Sequence, residues 1–243
     1  MPRRKTEKAA VTGGRPASRR AAKTVSKGSA SPADGGFGSA GAIRQRNVAK
    51  ILKAAEAVFS KDGFSGASTA EIARRADVPK ANLHYYFRTK QDLYSAVLVE
   101  IVESWLDALE DIEEDSDPAA ALAEYIARKM KAAQSSAQPS RLWAIEIIGG
   151  GRHVQPFLKG RLRKLVEEKG AIVQKWIDQG KISDIDPRHL FFMIWAMTQT
   201  YADFGAQMTA VLGKRTLDDE AFADATQTAT RLILRGLGLK SPL

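Results

Sequence analysis

The sequence contains no cysteine. That removes disulfides, thiolate nucleophiles and cysteine-based zinc sites in one step. Histidine is scarce, with three in 243 residues. His84, His153 and His189 fall on separate predicted helices or helix starts, without the spacing a metal site needs. His153 and His189 are read as surface or helix-start residues. No apolar run is long enough to span a bilayer, and no apolar core follows the basic start as a signal peptide requires. The expectation is a soluble, cytoplasmic protein with no membrane partner. Alternating strand patterns and internal repeats are missing as well, which leaves an all-α chain. Gly149-Gly150-Gly151 follows no strand and lacks the Lys-Ser/Thr of a phosphate loop, so it reads as a helix break. Asp184 and Asp186 flank a turn beside Pro187 and read as capping residues. No nucleophile, base and orienting group can be assembled, so neither an enzyme nor a cofactor is expected.

Basic residues are abundant and unevenly placed. The formal net charge is +9, made up of +7 over 1–42, +6 over 43–90, −8 over 91–150 and +4 over 151–243. A basic end steers a chain toward a polyanion without conferring sequence preference. Residues 1–42 are rich in Lys, Arg, Ala, Ser, Gly and Pro and hold almost no large apolar side chain. Such a segment buries too little surface to offset its ordering entropy and is expected to be a disordered basic arm. It is either an accessory DNA arm or a solvated tail.

From Arg44 the pattern changes. Val48, Ile51, Leu52, Ala55, Val58 and Phe59 recur at helical spacing, and Asp62-Gly63 ends that helix. Ser68 or Thr69 can cap the next, whose buried stripe is Ile72, Ala73 and Ala76. Asp77-Val78-Pro79 forms a turn, and a short helix over Lys80–Phe87 follows. Leu83 and Phe87 point inward, leaving Lys80, Asn82, His84 and Tyr85 for solvent or DNA. Two short helices across a tight turn make a helix-turn-helix, whose second helix enters the major groove.

The residues Phe59, Gly63, Thr69, Ile72-Ala73, Ala76, Val78, Leu83, Tyr86-Phe87, Lys90 and Leu93 resemble the DNA-binding domain of the TetR family of bacterial transcription regulators. The departures are Asp77 at a turn position usually held by glycine, and Pro79 in place of a serine cap. The resemblance implies a DNA-binding domain over 43–90 and a helical effector-binding and dimerisation domain over 91–240. It also implies a homodimer on a double-stranded, palindromic operator. Lys80, Asn82 and His84 are candidates for base edges. Arg44, Thr69, Tyr85, Tyr86 and Lys90 are the remaining DNA candidates, chiefly for phosphates.

The rest of the chain reads as helices over about 91–113, 118–134, 139–148, 154–179, 187–212 and 218–236. In 187–212, Leu190, Phe191, Phe192, Ile194, Trp195, Met197, Phe204, Met208 and Val211 cover more than one face, which suits burial against both its own domain and a second subunit. Trp195 and Gln199 lie four apart on one helical face. A glutamine amide beside an indole N–H could pair with a small planar ring bearing adjacent C=O and N–H groups; the same pair could equally be a core contact. Further residues sharpen the likeness: Ser140-Arg141-Leu142, Trp176 with Gly180-Lys181, Asp186-Pro187, Ile194–Ala196, Thr198-Gln199 and Tyr201–Phe204 are similar to the pyrimidine-responsive regulators within the family. That likeness implies uracil or thymine as effector, bound by Trp105, Trp195 and Gln199, and release of DNA on binding. Met197 beside the pair would narrow or dry such a pocket, and Thr200 also departs from those regulators. A TetR-type regulator of a different small molecule and a largely non-specific nucleic-acid binder remain the alternatives.

Overall fold

A computed structural model describes residues 36–240 of the chain. The first helix, α1 (Gly36–Gly66), begins inside the segment expected to be a disordered arm, so residues 36–42 are helical. Residues 1–35 of that arm lie outside the described residues. From Gly41 onward the chain forms one compact unit, and among the described residues the regular elements are all helical.

Helix α1 carries the core side chains Ile51, Ala55, Val58 and Phe59, all fully buried. Gly63 interrupts it at φ 68° and ψ 177°. The break falls at the expected glycine, but in an extended positive-φ conformation open essentially only to glycine, in place of the left-handed helical cap that the sequence predicts. Phe64 then folds back and stacks on Phe59, ring centroids 6.5 Å apart. Helix α2 (Thr69–Arg75) starts under Ser68, whose hydroxyl accepts from the Ala70 N–H, so the cap belongs to Ser68 and Thr69 is the first helical residue. The turn into α3 (Lys80–Tyr86) places Asp77 at φ 54°, a conformation aspartate tolerates better than most residues. Thr89 and Asp92 form a reciprocal capping box that opens α4 (Lys90–Glu110).

Helix α4 links the reading unit to the remainder. Its buried stripe runs from Leu93 and Tyr94 through Val97, Leu98 and Ile101 to Trp105 and Leu109. After it come α5 (Pro118–Ser135), α6 (Ala137–Ile148), a three-residue α7 (Gln155–Phe157), a π-helical turn (Leu158–Leu162) and α8 (Arg163–Asp178). The expected helix over 154–179 is therefore a composite with a wider turn inside it. Helix α9 (Pro187–Asp203) packs on α5, α6 and α8, and α11 (Asp219–Gly236) packs on α5 and α9.

The single helix expected over 187–212 is two. Phe204, at φ −112° and ψ 31°, leaves helical geometry and separates α9 from α10 (Gly205–Leu212). The acidic stretch after α4 is tied to α8. Lys169 donates to the Glu110 and Ile112 carbonyls, Lys175 pairs with Glu114, and the buried Trp176 donates its indole N–H to the Glu114 carbonyl at 3.3 Å. Lys169 thereby occupies the last carbonyl of α4, which has no helical partner, together with one just beyond the helix.

Candidate functional site

The face expected to meet DNA is built on α3. Leu83 is the buried anchor, and Phe87 packs against the core just past the helix end. That arrangement turns Lys80, Asn82, His84 and Tyr85 outward, with Tyr85 73% exposed. Arg44 is exposed and sits over the Tyr86 ring, 5.7 Å from its centroid. The Asn47 amide donates to the Tyr86 hydroxyl at 3.4 Å, so α1 braces the aromatic end of α3. Thr69 is half-buried in the first turn of α2. The two arginines at the end of α2 are engaged, since Glu71 accepts from Arg74 and Arg75 at 2.7–2.9 Å. Those bonds hold the Glu71 carboxyl down at about 2.

Lys90 also has partners within the chain. Its ammonium turns inward, donating to the Ser65 and Ala67 carbonyls at 3.3 and 3.2 Å and lying 4.8 Å from the centre of the Phe64 ring. The segment after Gly63 exposes carbonyls without helical partners, and a lysine at the start of α4 meets that need. The side chain thus ties the end of α1 to the start of α4 through two of its three N–H donors.

A cavity of about 280 Å³ lies between α4, α5, α6, the π-helical turn and α9. Trp105, Trp195 and Gln199 all line it, so residues 94 positions apart in sequence meet in one wall. Two of the departures noted in the sequence do not reach it: neither Met197 nor Thr200 is among the lining residues. The indole N–H of Trp195 is already donated to the Tyr125 hydroxyl at 2.6 Å, so Trp195 offers the cavity its ring, and Gln199 supplies the amide.

Sequence reasoning missed the other walls, among them Tyr125, Lys129 and Trp143. Lys129 is buried with its Nζ 5.0 Å from the Trp105 ring centroid. Burial pushes its amine down to about 8, with Asp203 opposing. Burial also raises the Asp203 carboxyl, countered by the Ser140 hydroxyl 2.6 Å away and by Lys129. Both partners shift toward neutrality, so desolvation outweighs their attraction. The signal was present in α5, where Lys129 falls on the buried stripe of Leu122, Tyr125, Ile126, Met130 and Ala133. A lysine on an apolar stripe is rarely placed there without a partner.

The histidines divide. His84 and His189 are exposed, whereas the His153 side chain is buried against Glu146 and is not a surface residue, because the turn through Gly150 and Gly151 at φ 96° and 62° folds it back onto α6.

Comparison with known proteins agrees with this architecture. Residues 51–97 match the model for bacterial regulatory proteins of the tetR family, and residues 98–240 match that for the C-terminal region of YcdC-like proteins. The HTH-type transcriptional regulator RutR of Escherichia coli K12 is 42% identical over 187 residues, covering 77% of this chain and 88% of RutR. The transcriptional repressor NicS of Pseudomonas putida is 30% identical over 193 residues, covering 77% and 90%. Among solved structures, Bacillus subtilis FadR in complex with stearoyl-CoA aligns with a TM-score of 0.60 at 18% identity, covering 78% of this chain and 98% of that one. Salmonella enterica GusR aligns at 0.58 and 19% identity, covering 79% and 95%. At such identities these two report the fold. Among the described residues no helix is long and apolar enough to cross a membrane. With both halves matched in order, the chain belongs to the TetR family of DNA-binding helix-turn-helix transcription regulators and is RutR-like across both of its domains.

Proposed function

We propose that the protein is a dimeric repressor that binds a palindromic operator and is released from it by a small pyrimidine such as uracil or thymine. The observation that carries this reading is the convergence of Trp105, Trp195 and Gln199 on one small cavity. An amide that both donates and accepts matches the paired C=O and N–H edge of an imide ring, and tryptophan faces suit its plane. The Lys129 amine, as ammonium, adds a donor for a ring carbonyl. At about 280 Å³ the cavity sits at the small end of ligand pockets, which favours a compact heterocycle over a long acyl chain. RutR and the tetR-family model support the regulator half of the reading.

DNA is read by two copies of α3 in successive major grooves, with Lys80, Asn82 and His84 toward base edges and Arg44, Thr69, Tyr85 and Tyr86 toward the backbone. The effector acts only through different affinities for the DNA-competent and released states. Fluorescence anisotropy on DNA from the gene's own upstream region, at fixed salt with and without uracil, tests the whole. Tight specific binding that uracil weakens is expected. Specific binding indifferent to uracil and thymine would replace the effector and keep the regulator, while equal binding to random DNA would sink both. The Gln199→Ala variant should bind the operator as the native chain does and need at least about tenfold more uracil for release, the cost of an unpaired imide edge.

A further inference from the structure

Glu146 and His153 form a buried ion-pair geometry outside the effector cavity. Glu146 Oε1 accepts from the His153 backbone N–H at 2.9 Å, and Glu146 Oε2 lies 2.9 Å from His153 Nδ1. The two side chains are only 8% and 6% exposed. Replacing such a pair with apolar residues often leaves stability unchanged or improved, so its presence calls for a role in placing something.

What surrounds the pair identifies that something. On one side the His153 ring meets Phe64 at 4.9 Å and Tyr94 at 5.1 Å between centroids. Tyr94 in turn contacts Phe59 and Phe64, both at 4.9 Å. Burial, with the Glu146 carboxylate adding to it, pushes the Tyr94 phenol up to about 12, so it stays a neutral hydroxyl beside that carboxylate. Phe64 belongs to the segment after the Gly63 stop, whose Ser65 and Ala67 carbonyls hold Lys90 and lead directly into α2. On the other side, Glu146 lies between Trp143 and Ile147, both walls of the effector cavity. His153 precedes Leu158 and Leu162, two more of its walls, which the π-helical turn carries. Gly151 lies against the same walls: an added Cβ there would come into ordinary contact with Leu158 Cδ1 at 3.4 Å and Ile147 Cδ1 at 3.5 Å. A cleft of about 710 Å³ opens beside the pair, lined by the end of α1 and by α6, and gives the reading unit room to shift.

We propose that the Glu146–His153 pair is the positioning latch that transmits the state of the effector cavity to the DNA-reading unit. The proposal rests on the effector reading above. When the cavity walls on α6 and the π-helical turn are displaced, the carboxylate and the imidazole move relative to one another. The pair then loses its grip on Phe64 and Tyr94, and α1 to α3 change their angle to the rest of the chain. Helix α4 remains the covalent link, and the latch sets which angle that link takes. Neither residue lines the effector cavity or belongs to α3, so the pair governs coupling and leaves affinity for either ligand alone largely intact.

The test uses the full chain. Operator affinity with and without uracil gives a coupling factor, and quenching of tryptophan fluorescence gives uracil affinity separately. In His153→Ala, uracil affinity should stay within about twofold of the native value while the coupling factor falls about tenfold or more. The doubly apolar Glu146→Leu/His153→Leu variant, which keeps the packing, should lose coupling equally, and Glu146→Gln, which keeps an acceptor for the His153 N–H, should restore part of it. Native coupling in a folded double variant that still binds uracil would overturn the latch. Failure of the effector reading is distinguishable, because the native protein would then not bind uracil. The latch is in that case read without ligand: Arg75→Cys and Asp178→Cys, unique thiols in a cysteine-free chain, carry spin labels in protein diluted with unlabelled subunits. A narrow native distance distribution should broaden or shift on breaking the pair, and an unchanged distribution would sink the proposal.

Discussion

Lys129 shows how far one side chain's chemistry can depart from its ordinary behaviour when a stripe of apolar neighbours buries it. Its amine is pushed from the usual lysine range to about 8, while in the unfolded chain it would titrate near 10.4. Between those values the unfolded chain holds more protons than the folded one, so stability rises with pH across that window. The expected outcome is that the native protein gains about 3 kcal/mol or less relative to Lys129→Met as pH increases from about 8 to about 10. Urea denaturation of both proteins at several pH values measures the difference, and a parallel pH dependence would contradict the burial argument. Trp195 is altered differently. Its N–H is spent on Tyr125, so the residue contributes a surface to the cavity while Gln199 contributes the directional bonds.

Among the elements, α1 and α9 end in ways that their apolar spacing does not reveal. Gly63 at φ 68° lets Phe64 return onto the helix, and a Cβ there would meet nothing within 4 Å. The cost of Gly63→Ala is therefore conformational alone: at φ 68° and ψ 177° the backbone lies in a region essentially reserved for glycine, so a loss of about 1–3 kcal/mol is expected, seen as a lower urea midpoint with an unchanged slope. A much larger loss would reveal a packing role that the open space does not suggest. Helix α9 stops at Phe204 although the apolar pattern continues into α10, none of whose residues is buried in the single chain. Periodicity records which positions are apolar, and a one-residue break in backbone geometry leaves no mark on it. The π-helical turn over Leu158–Leu162 is hidden for the same reason.

For the whole molecule the open question is what covers the outer faces of α9 and α11. Leu190, Phe191 and Ile194 are buried within the chain, whereas Phe192, Met193 and Leu232 remain 46%, 51% and 59% exposed. The two-sided apolar character read in the sequence is thus present, and a second copy is the proposed occupant, consistent with the need for two reading heads on one operator. Leu232→Glu places a charge on that face and should raise the dimer dissociation constant about tenfold or more. Sedimentation velocity across a concentration series checks it, with weaker operator binding expected in parallel. A monomer–dimer balance indifferent to the change would move the interface elsewhere.

What the sequence determined by itself was local. Capping, glycine stops and helical spacing act within a few residues, so the helix-turn-helix, the Asp77 turn, the capping of α9 by Asp186 and the glycine break after Ile148 were all legible there. The Trp195–Gln199 pairing was legible too, because four residues make one helical turn. Only the tertiary structure decided how distant positions meet. It brought Trp105, Tyr125, Lys129 and Trp143 to the same cavity, moved Met197 and Thr200 out of it, turned Lys90 onto backbone carbonyls and buried His153 on Glu146. Such outcomes depend on how helices separated by tens of residues pack against one another, and on the need of each buried polar group for a partner. Neither is encoded in the spacing of neighbouring residues.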